Sequence, residues 1–172
     1  GHEYVSFTRM IDFTRTETFV ELRGRPRVRL DLPEEVSLSI YARRLIVEPK
    51  RDWTVNDASI PAGALAVFDL ARFIDGDRRC DIIFRPTPTR ALQQWIETRH
   101  GVVLDILDQV RSRLVLVRPE GDRWIEEPIA GLADNAAISI APLGGENDPD
   151  LGTDVMLTTM AFDRPPTLSL WT

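Results

Sequence analysis

The sequence predicts an all-β chain, a partial β-propeller of about three and a half four-stranded antiparallel blades. Three observations carry that prediction. Helical periodicity is nearly absent, and about fourteen short β-rich runs alternate with polar turns in its place. Four stretches superpose, beginning at Val5, Leu45, Val102 and Val155. Each is an apolar strand, a polar turn with Asp and usually Arg, and a second apolar strand. Their matching positions Phe19, Leu65, Leu114 and Leu168 lie 46, 49 and 54 residues apart. That is the repeat length of a four-stranded blade rather than of a helical solenoid.

In chain order, Tyr4 to Met10 alternates and Asp12 breaks it. Thr16 to Leu22 follows, and Arg23-Gly24 turns the chain into Val28 to Leu30. Val36 to Tyr41 and Leu45 to Val47 are the next strands, followed by a longer loop from Glu48 to Gly63 rich in turn residues. Ala64 to Leu70 is a strand, Asp69 to Asp75 a single helical turn ended by Gly76, and Cys80 to Phe84 a strand closed by Pro86 and Pro88. Then come Ala91 to Glu97, Val102 to Leu107, Arg113 to Val117 and Arg123 to Glu127. Ala137 to Ala141, Val155 to Met160 and Thr167 to Trp171 complete the series. The runs group as blades over 3–31, 35–85, 90–128 and 136–172 of a single domain spanning 1–172, with Gly1-His2 read as a tag remnant.

A lone blade has two apolar faces, and stacking against neighbours removes both from water. Central strands should then be apolar on alternate and often on both sides, as Leu45-Ile46-Val47, Ile82-Ile83-Phe84 and Leu114 to Val117 are. Each buried Leu, Val or Phe contributes about 1.5–3 kcal/mol, so these faces dominate the fold. The first and last groups hold three strands each, so the chain is expected to begin and end within a blade. Bare edges and faces of that kind predict self-association.

Composition excludes several function classes. A net charge of −6 argues against a nucleic-acid partner, which needs a clustered positive field. No run of apolar residues is long enough to span a membrane. Cys80 is the lone cysteine, so neither a disulfide framework nor a thiolate metal site is predicted, and no cofactor is implied. Arg25, Arg27 and Arg29 alternate beside Glu21 and Asp31 and read as a solvated strand face rather than an anion site.

The chain is expected to carry no complete catalytic site and to be no enzyme alone. A hydrolase nucleophile sits in a G-x-S-x-G elbow, and Ser6, Ser37, Ser39, Ser59, Ser112, Ser139 and Ser169 all lack the flanking glycines. His100, the one histidine outside the tag remnant, lies beside Gly101 and reads as a surface turn residue rather than a general base. Cys80 follows Arg78 and Arg79, which would lower a thiol pKa, but a strand-start cysteine is the simpler reading. The acidic stretch from Glu146 to Asp154 lacks the residue order of a calcium loop and reads as solvated surface. Trp53, behind Asp52, reads as an anchored loop plug, Trp95 and Trp171 as core, and Trp124 as half-buried. The pairs Asp105/Asp108 and Glu126/Glu127 read as turn and surface acids. The first strand of each propeller blade lines the central channel. Ser37, Ser39, Gln93, Gln94 and Ser139 fall on such strands, where they either form a wet channel wall or bond backbone and water.

Several motifs occur in a telling order. These are Arg51-Asp52-Trp53, Pro61 to Leu65, Phe73 with Gly76-Asp77, and Ile83 to Pro86. Thr98-Arg99, Val102 to Leu107, Asp108 to Leu114 and the closing Phe162 to Leu168 follow. From about Tyr4 to Trp171 the chain resembles the C-terminal half of the non-catalytic β-propeller of bacterial prolyl oligopeptidases, a family of serine peptidases. It departs from that family at Gln109, where the family has Asn in an Asp-Asn-Val-like turn. The resemblance implies a parent enzyme that cleaves short peptides after proline. An α/β-hydrolase peptidase domain would carry the triad, and the propeller would gate peptide substrate passing to it. The compartment, bacterial cytoplasm or periplasm, stays open. The alternative is a stand-alone protein- or carbohydrate-binding propeller module.

Overall fold

The computed structural model describes residues 4–10, 16–41, 43–56, 58–98, 100–129, 137–142, 155–161 and 164–171. The chain divides into two compact units, Gly1–Arg85 and Pro86–Thr172. Among the described residues, both are built almost wholly of antiparallel strands. No helix among the described residues is long and apolar enough to cross a membrane.

The first unit opens with a three-stranded meander of β1 (Tyr4–Met10), β2 (Thr16–Leu22) and β3 (Val28–Arg29). A four-stranded sheet follows, ordered β4 (Val36–Tyr41), β5 (Arg44–Pro49), β8 (Leu65–Asp69) and β9 (Cys80–Phe84). Between β5 and β8 the chain makes a separate hairpin, β6 (Trp53–Val55) with β7 (Ala58–Ile60). The sequence predicts only a loop here, because three residues per strand are too few to display an alternating pattern. Asn56 takes φ 49° at the hairpin turn, a left-handed conformation that Asn tolerates better than most residues. Val55 and Ile60 are buried, and Trp53 packs against Phe68 with ring centroids 5.7 Å apart.

Register explains the core of this unit. Leu38 and Ile40 stand opposite Val47 and Leu45, which in turn stand opposite Ala66 and Phe68. Leu45, Val47, Ala66 and Phe68 are buried together with Val20 of β2. Phe73 meets Phe68 edge-on at 5.1 Å. Phe73 belongs to α1 (Leu70–Ile74), whose N-cap Asp69 accepts a hydrogen bond from the Arg72 amide. Gly76, at φ 92°, ends the turn in a conformation that side chains resist. Ile46 is also buried, so β5 is apolar on both faces, as the sequence predicts for a central strand.

The second unit holds a four-stranded meander of β10 (Arg90–Thr98), β11 (Gly101–Asp108), β12 (Arg111–Glu120) and β13 (Arg123–Pro128). It also holds a three-stranded one of β14 (Ala137–Pro142), β15 (Val155–Ala161) and β16 (Arg164–Trp171). Val103, Leu114 and Leu116 of the first sheet share a buried cluster with Ile138, Ile140, Val155 and Leu157 of the second. The repeat read from the sequence is visible strand by strand. Leu65, Leu114 and Leu168 each lie on the third strand of their sheet, and Phe19 lies on β2, the last but one of its sheet, as β8 and β12 are of theirs.

Candidate functional site

The polar residues of the candidate first strands are placed individually. On β4, Ser37 and Ser39 are half-buried. On β10, Gln93 and Gln94 are exposed. The pairing of β10 with β11 shifts between Leu92 and Gln94, a bulge that leaves Gln93 as the extra residue and sets Gln94 opposite Asp105. The Gln94 carboxamide oxygen accepts a hydrogen bond from the Ile140 amide of β14 at 3.2 Å. Of the two readings open for Gln94, the structure therefore selects backbone bonding.

Asp105 overturns the reading of a turn or surface acid. It lies in the middle of β11 and is only 3% exposed. Its register partners are Gln94 on one side and Leu114 on the other, so it shares the face of Val103, Leu114 and Leu116. Burial raises its carboxyl pKa to about 6, and a hydrogen bond with Ser112 opposes the rise. Its Oδ1 atom has no hydrogen-bond partner among the described residues. Asp108 is three residues along and points to the opposite face, where Arg113 Nε is 3.4 Å from its carboxylate. The two acids therefore do not form a pair. A signal for Asp105 was present in the sequence. It interrupts the apolar run Val102 to Leu107, which reads as a central strand, and an acid there has no water to face.

The remaining candidates sort by their surroundings. His100 is exposed at the turn between β10 and β11. Cys80 is half-buried against the core of the first unit, and desolvation first, then the charge of Asp81, raise its thiol pKa. The flanking arginines do not activate it. Arg78 lies 3.8 Å over the Phe73 ring and donates to the Phe73 carbonyl, while Arg79 clamps Asp77 at 2.5 Å. Asp52 accepts from the Ala62 amide at 2.9 Å and so anchors the loop that carries Trp53. Trp95 is half-buried rather than core, and Trp124 is half-buried. The side chain of Trp171 and the acidic stretch from Glu146 to Asp154 lie outside the described residues.

Arg25, Arg27 and Arg29 are exposed and face Asp75, Glu21 and Glu17 at 2.7, 3.7 and 2.8 Å. Only Arg29 lies within a strand, so the expected strand face is mostly a loop. Glu126 and Glu127 pair with Arg90 and Arg118 at 3.0 and 2.7 Å. Among the described residues, no three His, Cys, Asp or Glu side chains cluster as metal ligands would.

No protein-family model matches the chain, and no curated protein matches it. Solved structures do. A post-proline cleaving enzyme from Rickettsia typhi superposes with a TM-score of 0.78 at 18% identity, over 99% of this chain and 25% of that one. A structure from a study of two prolyl endopeptidases superposes with a TM-score of 0.59 at 13% identity, over 98% of this chain and 24% of that one. The chain thus spans about a quarter of the length of the structures it matches. The likeness establishes the fold, an all-β partial propeller of antiparallel blades.

Proposed function

We propose that this chain is a non-catalytic, substrate-gating part of the propeller of a prolyl oligopeptidase-like serine peptidase. The parent cleaves short peptides after proline. Its α/β-hydrolase domain supplies the Ser, Asp and His, and peptide reaches that domain past the propeller. The observation that carries this reading is the superposition of 99% of the chain on one quarter of a post-proline cleaving enzyme. The absence of a G-x-S-x-G elbow from the sequence supports the non-catalytic part.

Two measurements test the proposal. The pure chain should release no product from a chromogenic peptidyl-proline substrate. Turnover that a serine-reactive inhibitor abolishes would overturn the non-catalytic assignment. The reading frame that encodes the chain should continue into a G-x-S-x-G segment. A frame without one removes the parent peptidase.

We further propose that copies of the chain associate through apolar sheet faces. Val5 and Phe7 are 50% and 42% exposed on β1, and Leu168 and Leu170 are 66% and 56% exposed on β16.

A further inference from the structure

Within the second unit, the cluster of Asp105, Gln94, Ser112 and the Ile140 amide has no part in the gating proposal. Asp105 is buried between β10 and β12, and among the described residues one of its two oxygens has no donor. Gln94 stands directly opposite it across the bulge, at a spacing where cross-strand side chains meet. The Gln94 carboxamide oxygen in turn holds the Ile140 amide, a bond that ties β10 of one sheet to β14 of the other. Gln94 therefore has one carboxamide within reach of two clients.

Among the described residues, no other ionisable group stands beside Asp105 on its face by register. On the Asp105 face, β10 presents Gln94, Ile96 and Thr98, and β12 presents Ser112, Leu114 and Leu116. β14 and β15 contain no ionisable residue. Arg90, Glu97, Asp108, Arg111 and Arg113 stand on the opposite face by register. Arg118, Glu120, Arg123 and Glu127 share the Asp105 face by register farther along β12 and β13, where Arg118 pairs with Glu127 at 2.7 Å.

We infer that Asp105 and Gln94 form a proton-controlled latch between the two sheets of the second unit. With its proton on, Asp105 is neutral and leaves Gln94 bonded to Ile140. When the proton leaves, Oδ1 becomes a buried anion without a donor, a state far costlier than an unpaired neutral group. The Gln94 amide N–H₂ is the donor that the register sets opposite it, and turning that group toward Asp105 withdraws the carboxamide oxygen from Ile140. Gln94 is itself exposed and is the solvent-facing member of the latch, while Asp105 is buried. The raised carboxyl pKa of Asp105, about 6, places the change near mildly acidic pH.

Amide hydrogen exchange at Ile140 reads the latch in the full chain. After correction for the intrinsic rate, protection of that amide should fall about tenfold or more between pH 5 and pH 7, as one lost local bond predicts. In Asp105→Asn, which cannot ionise, protection should be the same at both pH values. Ser112→Ala removes the hydrogen bond that favours the anion, so its transition should move to higher pH. This second variant keeps the test decisive if Asp105→Asn fails to fold. Protection independent of pH in the unaltered chain overturns the latch. So does an unchanged pH dependence in Asp105→Asn, or a transition unmoved in Ser112→Ala.

Discussion

A carboxylic acid in the middle of an apolar strand escapes the cost of its charge by finding donors or by keeping its proton. Burial raises the folded-state pKa of Asp105 from 3.8 to about 6 against its bond with Ser112, and among the described residues its Oδ1 has no donor. The sign of the linkage follows. Below pH 3.8 both folded and unfolded chains hold the proton, and no penalty exists. The penalty grows as pH climbs from 3.8 to 6 and is complete above it. Two pH units correspond to about 3 kcal/mol. Asp105→Asn should therefore be more stable than the unaltered chain by about 1–3 kcal/mol at pH 7 and equal to it near pH 3.5, in urea titrations at the two pH values. A variant equally destabilised at both would show that Asp105 contributes packing rather than charge. Cys80 supports a second prediction. Its raised thiol pKa means less thiolate, so iodoacetamide at pH 8 should label it more slowly in the folded chain than in urea. The environment of Asp105 left a signal in the sequence, the interrupted apolar run, but that of Cys80 did not. Arg78 and Arg79 stand beside Cys80 in the chain but turn to Phe73 and Asp77, and an adjacency in sequence does not reveal such directions.

Strands were legible where apolar alternation ran for five or more residues, as in β2 and β4, or where an apolar run was nearly continuous, as in β11, and illegible in the three-residue strands β6 and β7. Turn chemistry was partly legible. The hairpin joining β11 to β12 passes through Gln109 and Val110 at φ 48° and 65°. Two successive positive φ values define the tight turn that Asn-Gly satisfies best. Gln109, noted above as a departure from Asn, therefore occupies a position where Asn has a physical advantage. Val110 is worse placed, because a β-branched residue resists the left-handed region, and at 90% exposure it gains no burial in return. Val110→Gly should raise the midpoint of thermal unfolding by relieving strain of about 1 kcal/mol or more, and Gln109→Asn should add to it. A lower midpoint for both variants would mean that the turn changes type. At the other end of β11 the direction reverses. Gly101 has φ 153°, and a Cβ there would run into the Val117 carbonyl oxygen of β12. Gly101→Ala should cost at least 1–3 kcal/mol, because the obstacle is backbone in a paired strand. Calorimetry that finds it neutral would show the hairpin yielding cheaply.

At the scale of the molecule, a repeat of roughly 50 residues was legible because each sheet must meet the same demand, two apolar faces with few polar escapes. How each sheet meets it was not legible. In the first unit β1 to β3 turn Val20 and Leu22 inward and leave Val5 and Phe7 outward, with the Arg27 guanidinium 4.4 Å over the Phe7 ring. In the second unit β14 to β16 turn Ile138, Ile140 and Leu157 inward and leave Leu168 and Leu170 outward. A face from one unit meeting a different face on another copy is a heterologous contact, which closes into a ring or runs on as a filament. The weight-average mass in sedimentation equilibrium should therefore rise with concentration. Leu168→Lys together with Leu170→Lys puts two charges on an exposed face without touching the buried cluster, so it should hold the mass at that of one chain and leave the circular dichroism unchanged. Phe7→Lys should do the same from the opposite partner surface, and a mixture of the two variants should stop at a heterodimer, because each supplies the face that the other lacks. A chain that sediments as a monomer at every concentration would show that isolated apolar residues on these sheets are tolerated in water, and that the second proposed partner, another copy, does not exist.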